Sequence, residues 1–403
     1  MNETQKWTER ARNVIPWGSS TCSKSANYMP DEPGVIVRGE GCRVWDADGR
    51  EFIDYRNSLG PVTLGYGFPA VDEAIRRQLE NGILFGHPHP LEAEVAEMLC
   101  ECIPCAERAR FLKTGGEAVA ACIRLARHHT GREHVVQIGY NGWLNSLAGG
   151  GRLLPRQEAP STPPGVPAAL SALHHNVGWN DTETLESLFD EHGDAIAALV
   201  VAAHYPELPA GETFYPFLRQ LTREHGTVLV FDEIVTGFRL ALGGVQEYFG
   251  VTPDMAVFAK GVANGMPLSV YCGRAEIMDK LDTVIVSSTT GGETLSLAAA
   301  RAAITTYRTE NVIEHIHEKA GALWPELNAL FRKYGVPIEL TGCWPCPATE
   351  FDPEGPDDLP ERFYRAAYRH GVSLYQVPYV NFSHGDADIA ETLERLDGAI
   401  SEL

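Results

Sequence analysis

The sequence predicts an α/β protein whose large, mostly parallel sheet is sandwiched between helices. From about residue 110 to 275, short apolar runs alternate with helical stretches, which is typical of parallel strands joined by crossover helices. The run at residues 228–231 is rich in β-branched and aromatic side chains, as central parallel strands are. Both ends of the chain carry hairpin and helix patterns instead, and these predict a smaller α+β domain built from the two termini.

The composition fits a globular protein with more than one lobe. The chain has 403 residues, of which 44% are hydrophobic and 22% are charged. We expect an N-terminal segment of the small lobe at residues 1–60, the large domain at residues 61–297 and a C-terminal small domain at residues 298–403. The net charge of −21 argues against a nucleic-acid partner and against an anionic membrane surface. No apolar run reaches the length of a membrane span.

The N-terminus and the cysteines predict a cytoplasmic protein. Residues 1–17 contain no apolar core and therefore do not read as a signal peptide. The nine cysteines are scattered, which fits reduced thiols. Cys343 and Cys346 form a CxxC pair without a matching second pair, and this favours structural thiols over the alternative of a zinc site. We therefore predict no metal ligands.

Turn and helix patterns define the small lobe and the start of the large domain. The sequence DADGR at residues 46–50 is a hairpin-turn pattern between two short strand patterns. Apolar side chains recur at helical spacing in several stretches. Amphipathic helices are predicted at residues 69–81, 91–102, 312–334, 359–370 and 388–403.

A pattern that favours anion binding occurs between residues 110 and 130. Thr114, Gly115 and Gly116 follow a short strand pattern and precede a helix, so that backbone N–H groups and the helix dipole point at one spot. By itself the pattern also fits a tight connection that binds nothing. Tyr140 follows the next strand beside glycines, where it could stack on a flat ring or serve as a core aromatic.

The segment at residues 150–180 is rich in Gly, Pro, Ser and His and has no clear periodicity, which predicts a long loop. A helix is then expected from residue 181 to about 191, followed by a buried strand at 195–203 and a crossover helix at 217–224. A second polar, glycine-bearing loop at residues 287–294 precedes another long helix.

The most informative stretch runs from residue 228 to 268. Its first strand ends in Asp232 and Glu233, and the next apolar run ends in Lys260. Acids at the carboxyl end of a parallel strand lie where open α/β sheets bind ligands. Burial lowers the pKa of a lysine, and a neutral amine can attack a carbonyl. A surface ion pair is the simpler alternative, but an acid and a Schiff-base lysine are what pyridoxal phosphate (PLP) enzymes require.

These stretches carry a resemblance to the class III, fold-type I PLP-dependent aminotransferases, within which the chain is most similar to the glutamate-1-semialdehyde aminomutases and their aminotransferase-like relatives. The resemblance covers nearly the whole chain. The matching motifs, in order, are FLKTGGEAVAACIRLARHHTGR (111–132), GYNGW (139–143), FDEIVTGFR (231–239), AKGVANGMPLSVYCGR (259–274) and SSTTGGETLSLAAA (287–300).

The resemblance implies PLP as the cofactor and a role for each motif residue. Lys260 would form the covalent link to the cofactor and then move the substrate proton as general base. Asp232 would keep the pyridine nitrogen protonated, which makes the ring an electron sink. Ile234 would pack on one face of the ring and Tyr140 would stack on the other.

The phosphate contacts imply a dimer. Gly115 and Gly116 would offer backbone N–H groups to the phosphate of the cofactor. Thr289 would reach the phosphate bound by the neighbouring subunit, so that the active sites of a homodimer lie at the subunit interface.

Departures from the family pattern concern the substrate more than the chemistry. Family members usually have Tyr-His-Gly where this chain has Asn141 after Tyr140, and they have a hydroxyl residue in place of Gly116. A family Glu-Pro near residue 202 is replaced here by two alanines. In the aminomutases an early-loop arginine holds the substrate carboxylate, and here that loop ends in Lys24, a point charge without the bidentate fork.

We therefore expect Thr21, Lys24 and Asn141 to contact the substrate. A further departure is Leu59, which stands beside Gly-Pro where the family resemblance implies a tryptophan. The leading hypothesis is amino transfer between a small-molecule amino donor and a carbonyl acceptor, in specialised or surface-sugar metabolism. The alternatives are an intramolecular 1,2-aminomutase or a racemase, and a non-catalytic scaffold, against which the intact Asp232 and Lys260 argue.

Overall fold

A computed structural model describes residues 1–26, 28–144 and 162–403 of the chain. They fold into two compact units, one formed by Met1–Pro69 with Glu314–Leu403 and the other by Ala70–Ile313. The division falls later along the chain than the boundaries expected after residues 60 and 297. No helix in the described parts of the chain is long and apolar enough to cross a membrane.

The strands, numbered in chain order, are β1 Ile36–Glu40, β2 Arg43–Asp46, β3 Glu51–Asp54, β4 Arg108–Leu112, β5 His134–Ile138, β6 His174–Val177, β7 Ile196–Ala202, β8 Val228–Asp232, β9 Met255–Phe258, β10 Ser269–Gly273, β11 Ile338–Thr341, β12 Ala348–Phe351 and β13 Val372–Ser373. The α-helices are α1 Glu3–Val14, α2 Pro69–Leu79, α3 Pro90–Cys102, α4 Gly115–Thr130, α5 Ala168–Ser171, α6 Thr182–His192, α7 Gly211–His225, α8 Val245–Tyr248, α9 Ala275–Met278, α10 Thr294–Thr309, α11 Val312–Tyr334, α12 Leu359–Arg369 and α13 Asp386–Ile400.

The first unit is built from both ends of the chain. Its four-stranded sheet has the order β1-β2-β3-β13, in which β13 pairs with β3 in parallel. The predicted hairpin turn joins β2 to β3 and places Gly49 at a φ of 82°, where a glycine lacks the Cβ penalty. The core of this unit is aromatic: Trp324 of α11 is fully buried and lies edge-on to Tyr55 at a centroid distance of 5.3 Å.

The second unit contains the large, mostly parallel sheet that the sequence predicts. Its strand order is β4-β10-β9-β8-β7-β5-β6, and β10 is the antiparallel member. Strands β7, β8 and β9 consist almost entirely of buried apolar residues, because helices cover both faces of such a sheet. The carboxyl ends of β5, β7, β8 and β9 therefore meet along one edge. The chain order reverses between β5 and β7, which is the kind of switch point where α/β sheets bind ligands.

Helix α10 explains why the second unit extends to Ile313. The hydroxyl of Thr294, at the start of this helix, donates to the carbonyls of Gly82 and Ile83, at 2.9 and 3.0 Å. The helix is lined with small apolar side chains that are fully buried. These side chains include Leu297, Ala298, Ala299, Ala300, Ala303 and Ile304.

The loop predicted at residues 150–180 is wrong in its second half. Residues 150–161 lie outside the described part of the chain. Beyond them, α5 and the edge strand β6 are regular structure, because His174–Val177 pair in parallel with β5. An edge strand bonds on one side only, and so a short polar sequence that lacks an apolar period can still join a sheet.

Candidate functional site

A cavity of about 610 Å³ lies in the second unit, at the carboxyl ends of its parallel strands. It brings together most of the site residues that the sequence predicts. Those predicted to serve the cofactor are Gly115, Gly116, Tyr140, Asp232, Ile234 and Lys260, and the one predicted to contact the substrate is Asn141. A larger cavity of about 790 Å³ lies beside α1 in the first unit, but its described lining does not pair a lysine amine with a buried acid.

Asp232 is the last residue of β8, and its carboxylate is buried. One oxygen accepts the backbone N–H of Ile234 at 3.1 Å, and the other accepts the side-chain amide of Asn141 at 3.2 Å. Burial raises the pKa of Asp232 to about 6, whereas these two hydrogen bonds and the charge of Lys260 lower it. The acid is thus still largely ionised at neutral pH and is ready to hold a positively charged group.

Asn141 follows β5 and is buried at the back of the same cavity. Its amide nitrogen donates to Asp232, and its Oδ1 has no hydrogen-bond partner among the described residues. The opposite amide orientation would set two oxygens against each other, so the nitrogen must face the carboxylate. The turn that delivers this residue passes through Gly139, which has a φ of 76° and would place a Cβ 3.2 Å from the carbonyl oxygen of Ala202.

Lys260 enters the cavity from a tight turn after β9. It opens the 3₁₀ segment Lys260–Ala263 with a φ of 49°, a backbone region that non-glycine residues rarely adopt. The turn is held by the hydroxyl of Tyr307, which donates to the carbonyl of Gly261 at 2.7 Å. Sparsely populated backbone geometry persists where the surrounding structure enforces it, as it does at many functional sites.

The N-terminus of α4 forms another wall. Thr114 caps this helix, with its hydroxyl accepting the N–H of Glu117 at 3.4 Å while the Glu117 carboxylate accepts the N–H of Thr114 at 2.8 Å. The N–H groups of the first helical turn, those of Gly115 and Gly116 among them, have no partner within the helix. An anion is therefore stabilised at this end of α4 by the N–H groups and the helix dipole.

Gly115 is required by packing as well. A Cβ at this position would lie 2.3 Å from Cδ1 of Ile234, so a larger residue here would displace the Ile234 side chain from its place in the cavity. A Cβ at Gly116 would meet Leu144 Cγ at 3.7 Å, an ordinary contact. Tyr140 also lines the cavity and is 42% exposed, which leaves much of its ring available to a ligand.

Three of the predicted site residues do not line this cavity. Thr289 is exposed on the loop before α10. Thr21 and Lys24 belong to the first unit, where the Lys24 ammonium lies 3.3 Å from the hydroxyl of Ser58 and burial lowers its pKa. The predicted roles of these three residues stay predictions.

Sequence reasoning assigned no role to Glu233, the residue after Asp232. Its carboxylate is fully buried and accepts the backbone N–H groups of Val245 and Gln246 at 2.8 and 3.1 Å, together with the hydroxyl of Thr236. It therefore holds the loop that follows β8 in place beside Asp232. The sequence did offer one signal: adjacent residues at a strand end point in opposite directions, so of Asp232 and Glu233 one should face the cavity and the other the loop.

These residues fit PLP by the chemistry of their groups. A buried carboxylate suits the protonated ring nitrogen, a lysine amine suits the aldehyde, and a helix N-terminus suits the phosphate. A half-exposed aromatic ring and an aliphatic side chain remain for the two faces of the pyridine. The fold and the site together define a fold-type I, PLP-dependent enzyme.

Comparison with known proteins gives the family. The model of the family described as aminotransferase class-III matches residues 25–400, and the chain belongs to this family. The glutamate-1-semialdehyde 2,1-aminomutase of Laribacter hongkongensis (strain HLHK9) is 33% identical over 428 residues, which cover 100% of both chains.

Solved structures agree in fold. The FumI protein of Sphingopyxis sp. MTA144, determined in its PLP internal aldimine form, superposes with a TM-score of 0.89 at 28% identity and covers 99% of this chain and 96% of its own. An omega-transaminase from Sphaerobacter thermophilus gives a TM-score of 0.87 at 26% identity, with 99% and 97% of the two chains covered. The predicted family, fold class and cofactor are thereby confirmed.

Proposed function

We propose that this enzyme transfers an amino group between a small-molecule amino donor and a carbonyl acceptor. The observation that carries the proposal is that the amine of Lys260 and the buried carboxylate of Asp232 line one cavity beside the N-terminus of α4. A lysine, an acid and an anion site in one cavity are what binding and using PLP requires.

Each residue of the cavity then has a chemical task. Bound PLP supplies an aldehyde for an amine and a protonated ring that accepts the electron pair left when a proton leaves Cα. Asp232 holds the proton on the ring nitrogen, because its own ionised form is stabilised by Asn141 and the N–H of Ile234. Lys260, once its Nζ is neutral, takes up the substrate proton and returns it at a neighbouring carbon. Gly115 binds the phosphate, and Tyr140 packs on one face of the ring.

An intramolecular aminomutase reaction is the second candidate. It is supported by relatives named glutamate-1-semialdehyde 2,1-aminomutase, two of which match 98% and 100% of the chain at 31% and 33% identity. Amino transfer is favoured because the resemblance implies an arginine in the early loop of the aminomutases, where this chain has Lys24. A lysine cannot bind a carboxylate in the bidentate way that an arginine can. For the same reason we place the reaction in specialised or surface-sugar metabolism.

We also propose a homodimer in which Thr289 contacts the cofactor phosphate of the partner. The proposal is supported by the exposure of this hydroxyl on the loop before α10. Sedimentation of wild-type enzyme and a comparison of PLP affinity in Thr289→Ala would test it, since a side chain that contacts no cofactor leaves the affinity unchanged.

The test of the main proposal is a titration of the purified holoenzyme with a panel of amines and amino acids, followed by visible absorbance. A donor of the transferase should bleach the coloured form completely in the absence of any acceptor, and a carbonyl acceptor should restore it. With an isotope-labelled amino group, transfer delivers the label to the acceptor, whereas an aminomutase keeps it on the original carbon skeleton. Absence of a protein-bound absorbance band after PLP is added and the unbound PLP is removed would overturn the proposal in favour of a scaffold.

A further inference from the structure

The CxxC pair is placed at the turn of a hairpin and takes no part in the site described above. Strands β11 and β12 pair in antiparallel fashion, and residues 343–346 lie in the connection between them. The N–H of Cys346 donates to the carbonyl of Cys343 at 2.9 Å, which closes a tight turn. Such a turn holds its first and fourth Cα atoms within about 7 Å, and a disulfide needs a Cα separation of about 4.4–6.8 Å. The backbone of the turn therefore holds the two Cα atoms at about the separation that a disulfide spans.

Helix α11 fixes the turn and the strand that precedes it. The indole N–H of the buried Trp324 donates to the carbonyl of Trp344, between the two cysteines, at 3.0 Å. One turn further along the helix, the amide of Asn328 bonds both backbone groups of Leu340, at 2.8 and 2.9 Å. Pro345 removes a further degree of backbone freedom. The turn is thus already ordered in the reduced protein, so forming the disulfide costs little additional conformational entropy.

The two cysteines differ in access. Cys343 is half-buried, whereas Cys346 is fully buried. An external reagent can reach the first sulfur, and the second is shielded from everything but its neighbours. This division between an accessible thiol and a shielded one suits attack by the first and resolution by the second. Across the described residues no group of three or more His, Cys, Asp or Glu side chains could hold a metal ion, so a dithiol is the chemistry that this turn offers.

We propose that Cys343 and Cys346 form a reversible intrachain disulfide by exchange with low-molecular-weight disulfides such as oxidised glutathione. The Cys343 thiolate attacks one sulfur of the external disulfide, forms a mixed disulfide and expels one thiolate. Cys346 then loses its proton and attacks the Cys343 sulfur, which expels the second. One external disulfide becomes two thiols while two protein thiols become one disulfide, so two electrons pass from the protein to the reagent.

The chain supplies its own control in Cys100 and Cys102 on α3. Both are half-buried, but side chains two residues apart on a helix do not face each other and cannot bridge. A second contrast is Cys105 with Cys272, which lie close together but are buried on both sides. The pair at the hairpin turn combines a thiol that solvent can reach with a second thiol close to it. The experiment must show that this combination is what allows the bridge to form.

The experiment equilibrates holoenzyme with defined ratios of reduced and oxidised glutathione, followed by acid quenching, alkylation and peptide mass mapping. In wild type, and equally in the Cys100→Ser/Cys102→Ser variant, we expect a single unalkylated peptide that contains both Cys343 and Cys346 and has lost two hydrogen atoms. The Cys346→Ser variant should instead retain one glutathione on Cys343. The Cys343→Ser variant should show neither product, and cofactor absorbance in every variant reports that the fold is intact.

The proposal is overturned if the wild-type thiols at Cys343 and Cys346 both remain alkylatable at the most oxidising ratio. It is also overturned if the bridge maps to Cys105 and Cys272, because that result would assign the redox chemistry to the core. Mapping of wild type alone decides between these outcomes, so the test does not depend on any variant folding.

Discussion

The side-chain amide of Asn141 donates a 3.2 Å hydrogen bond to the buried carboxylate of Asp232. Asn141 cannot titrate, whereas the histidine that the family resemblance implies at this position can. The ionised form of Asp232 therefore depends here on a neutral donor, on the N–H of Ile234 and on the charge of Lys260. The pairing links Asn141 to the residue that we propose holds the proton on the cofactor ring.

Replacement of this asparagine should move the acid limb of cofactor binding. In Asn141→Ala, burial of Asp232 persists while a hydrogen bond to its charged form is lost, so the pKa of Asp232 rises further. A hydrogen bond to a charged group contributes about 1.5–3 kcal/mol, and 1.36 kcal/mol corresponds to one pKa unit. We expect PLP affinity, measured by absorbance titration across pH, to fall at a pH about one to two units higher than in wild type. An acid limb that stays in place in Asn141→Ala would contradict the role given to this hydrogen bond, and Asn141→His, which restores a ring donor, is the matched comparison.

Removal of the Lys260 amine should abolish turnover. Lys260→Arg keeps a positive charge near Asp232 but offers no amine that is neutral at working pH, and general acid–base catalysis contributes about 10²–10⁴-fold. We expect the rate of amino transfer to fall by at least this factor. After reduction with borohydride, which makes an imine link permanent, we expect no PLP on the peptide that contains residue 260. Lys333→Arg, an exposed lysine paired with Asp397 at 2.7 Å, is the control and should keep full activity. Attachment at another lysine in the Lys260→Arg variant would show that the amine has been misassigned.

The parallel sheet explains why much of the site could be predicted from the sequence. Asp232 and Lys260 are far apart in the chain but follow neighbouring strands, and the carboxyl ends of parallel strands meet at one edge. Tyr140 follows β5 at the same edge, and a glycine pair before α4 has a conformational signature of its own. Strand ends and helix starts are local features, so the residues that they deliver can be located without knowing the full structure.

Contacts between different strand ends could not be predicted in this way. Whether Asn141 faces Asp232 or a substrate depends on the alignment of β5 with β8 across β7, and no local pattern encodes it. The same holds for Glu233, whose partners Val245 and Gln246 open the short helix α8, which is too brief to show a periodic pattern. The edge strand β6 was missed because its pairing with β5 needs no apolar alternation of its own.

The two glycines at the start of α4 should respond differently to the same substitution. Gly115→Ala places a Cβ 2.3 Å from Ile234 Cδ1, which displaces the Ile234 side chain in the cavity. Gly116→Ala meets its nearest neighbour at 3.7 Å and keeps the backbone N–H. We expect a clear loss of PLP affinity in Gly115→Ala and little change in Gly116→Ala, measured by equilibrium dialysis. Gly116→Thr adds a hydroxyl that the family usually has, and it should tighten binding of the phosphate; equal effects of the two alanine variants would rule out packing on Ile234 as the cause.

Glu233 should be a stability residue of the loop after β8. Glu233→Ala leaves the buried N–H groups of Val245 and Gln246 without an acceptor, each at a cost of about 1–3 kcal/mol. We expect the free energy of unfolding of the cofactor-free protein, measured in urea, to fall accordingly. Glu247→Ala is the matched control, since this residue also accepts a backbone N–H of the loop, that of Gly243 at 2.7 Å, but its own side chain is exposed. A loss in Glu247→Ala as large as that in Glu233→Ala would mean that burial is not the cause.

The same carboxyl group should give the cofactor-free protein a characteristic dependence on pH. Burial raises the pKa of Glu233 to about 7, so the folded protein binds this proton more tightly than the unfolded chain does. The resulting stabilisation is fully present below the unfolded pKa of about 4.3, and it is lost as the pH rises through about 7. Asp232, with a pKa raised to about 6, acts in the same direction over a slightly lower range. In Glu233→Gln the proton is no longer exchanged, so the decline in unfolding free energy between about pH 4 and pH 8 should be shallower than in wild type. Urea unfolding of both proteins across that range measures the difference, and identical slopes would show that Glu233 does not take up a proton on folding.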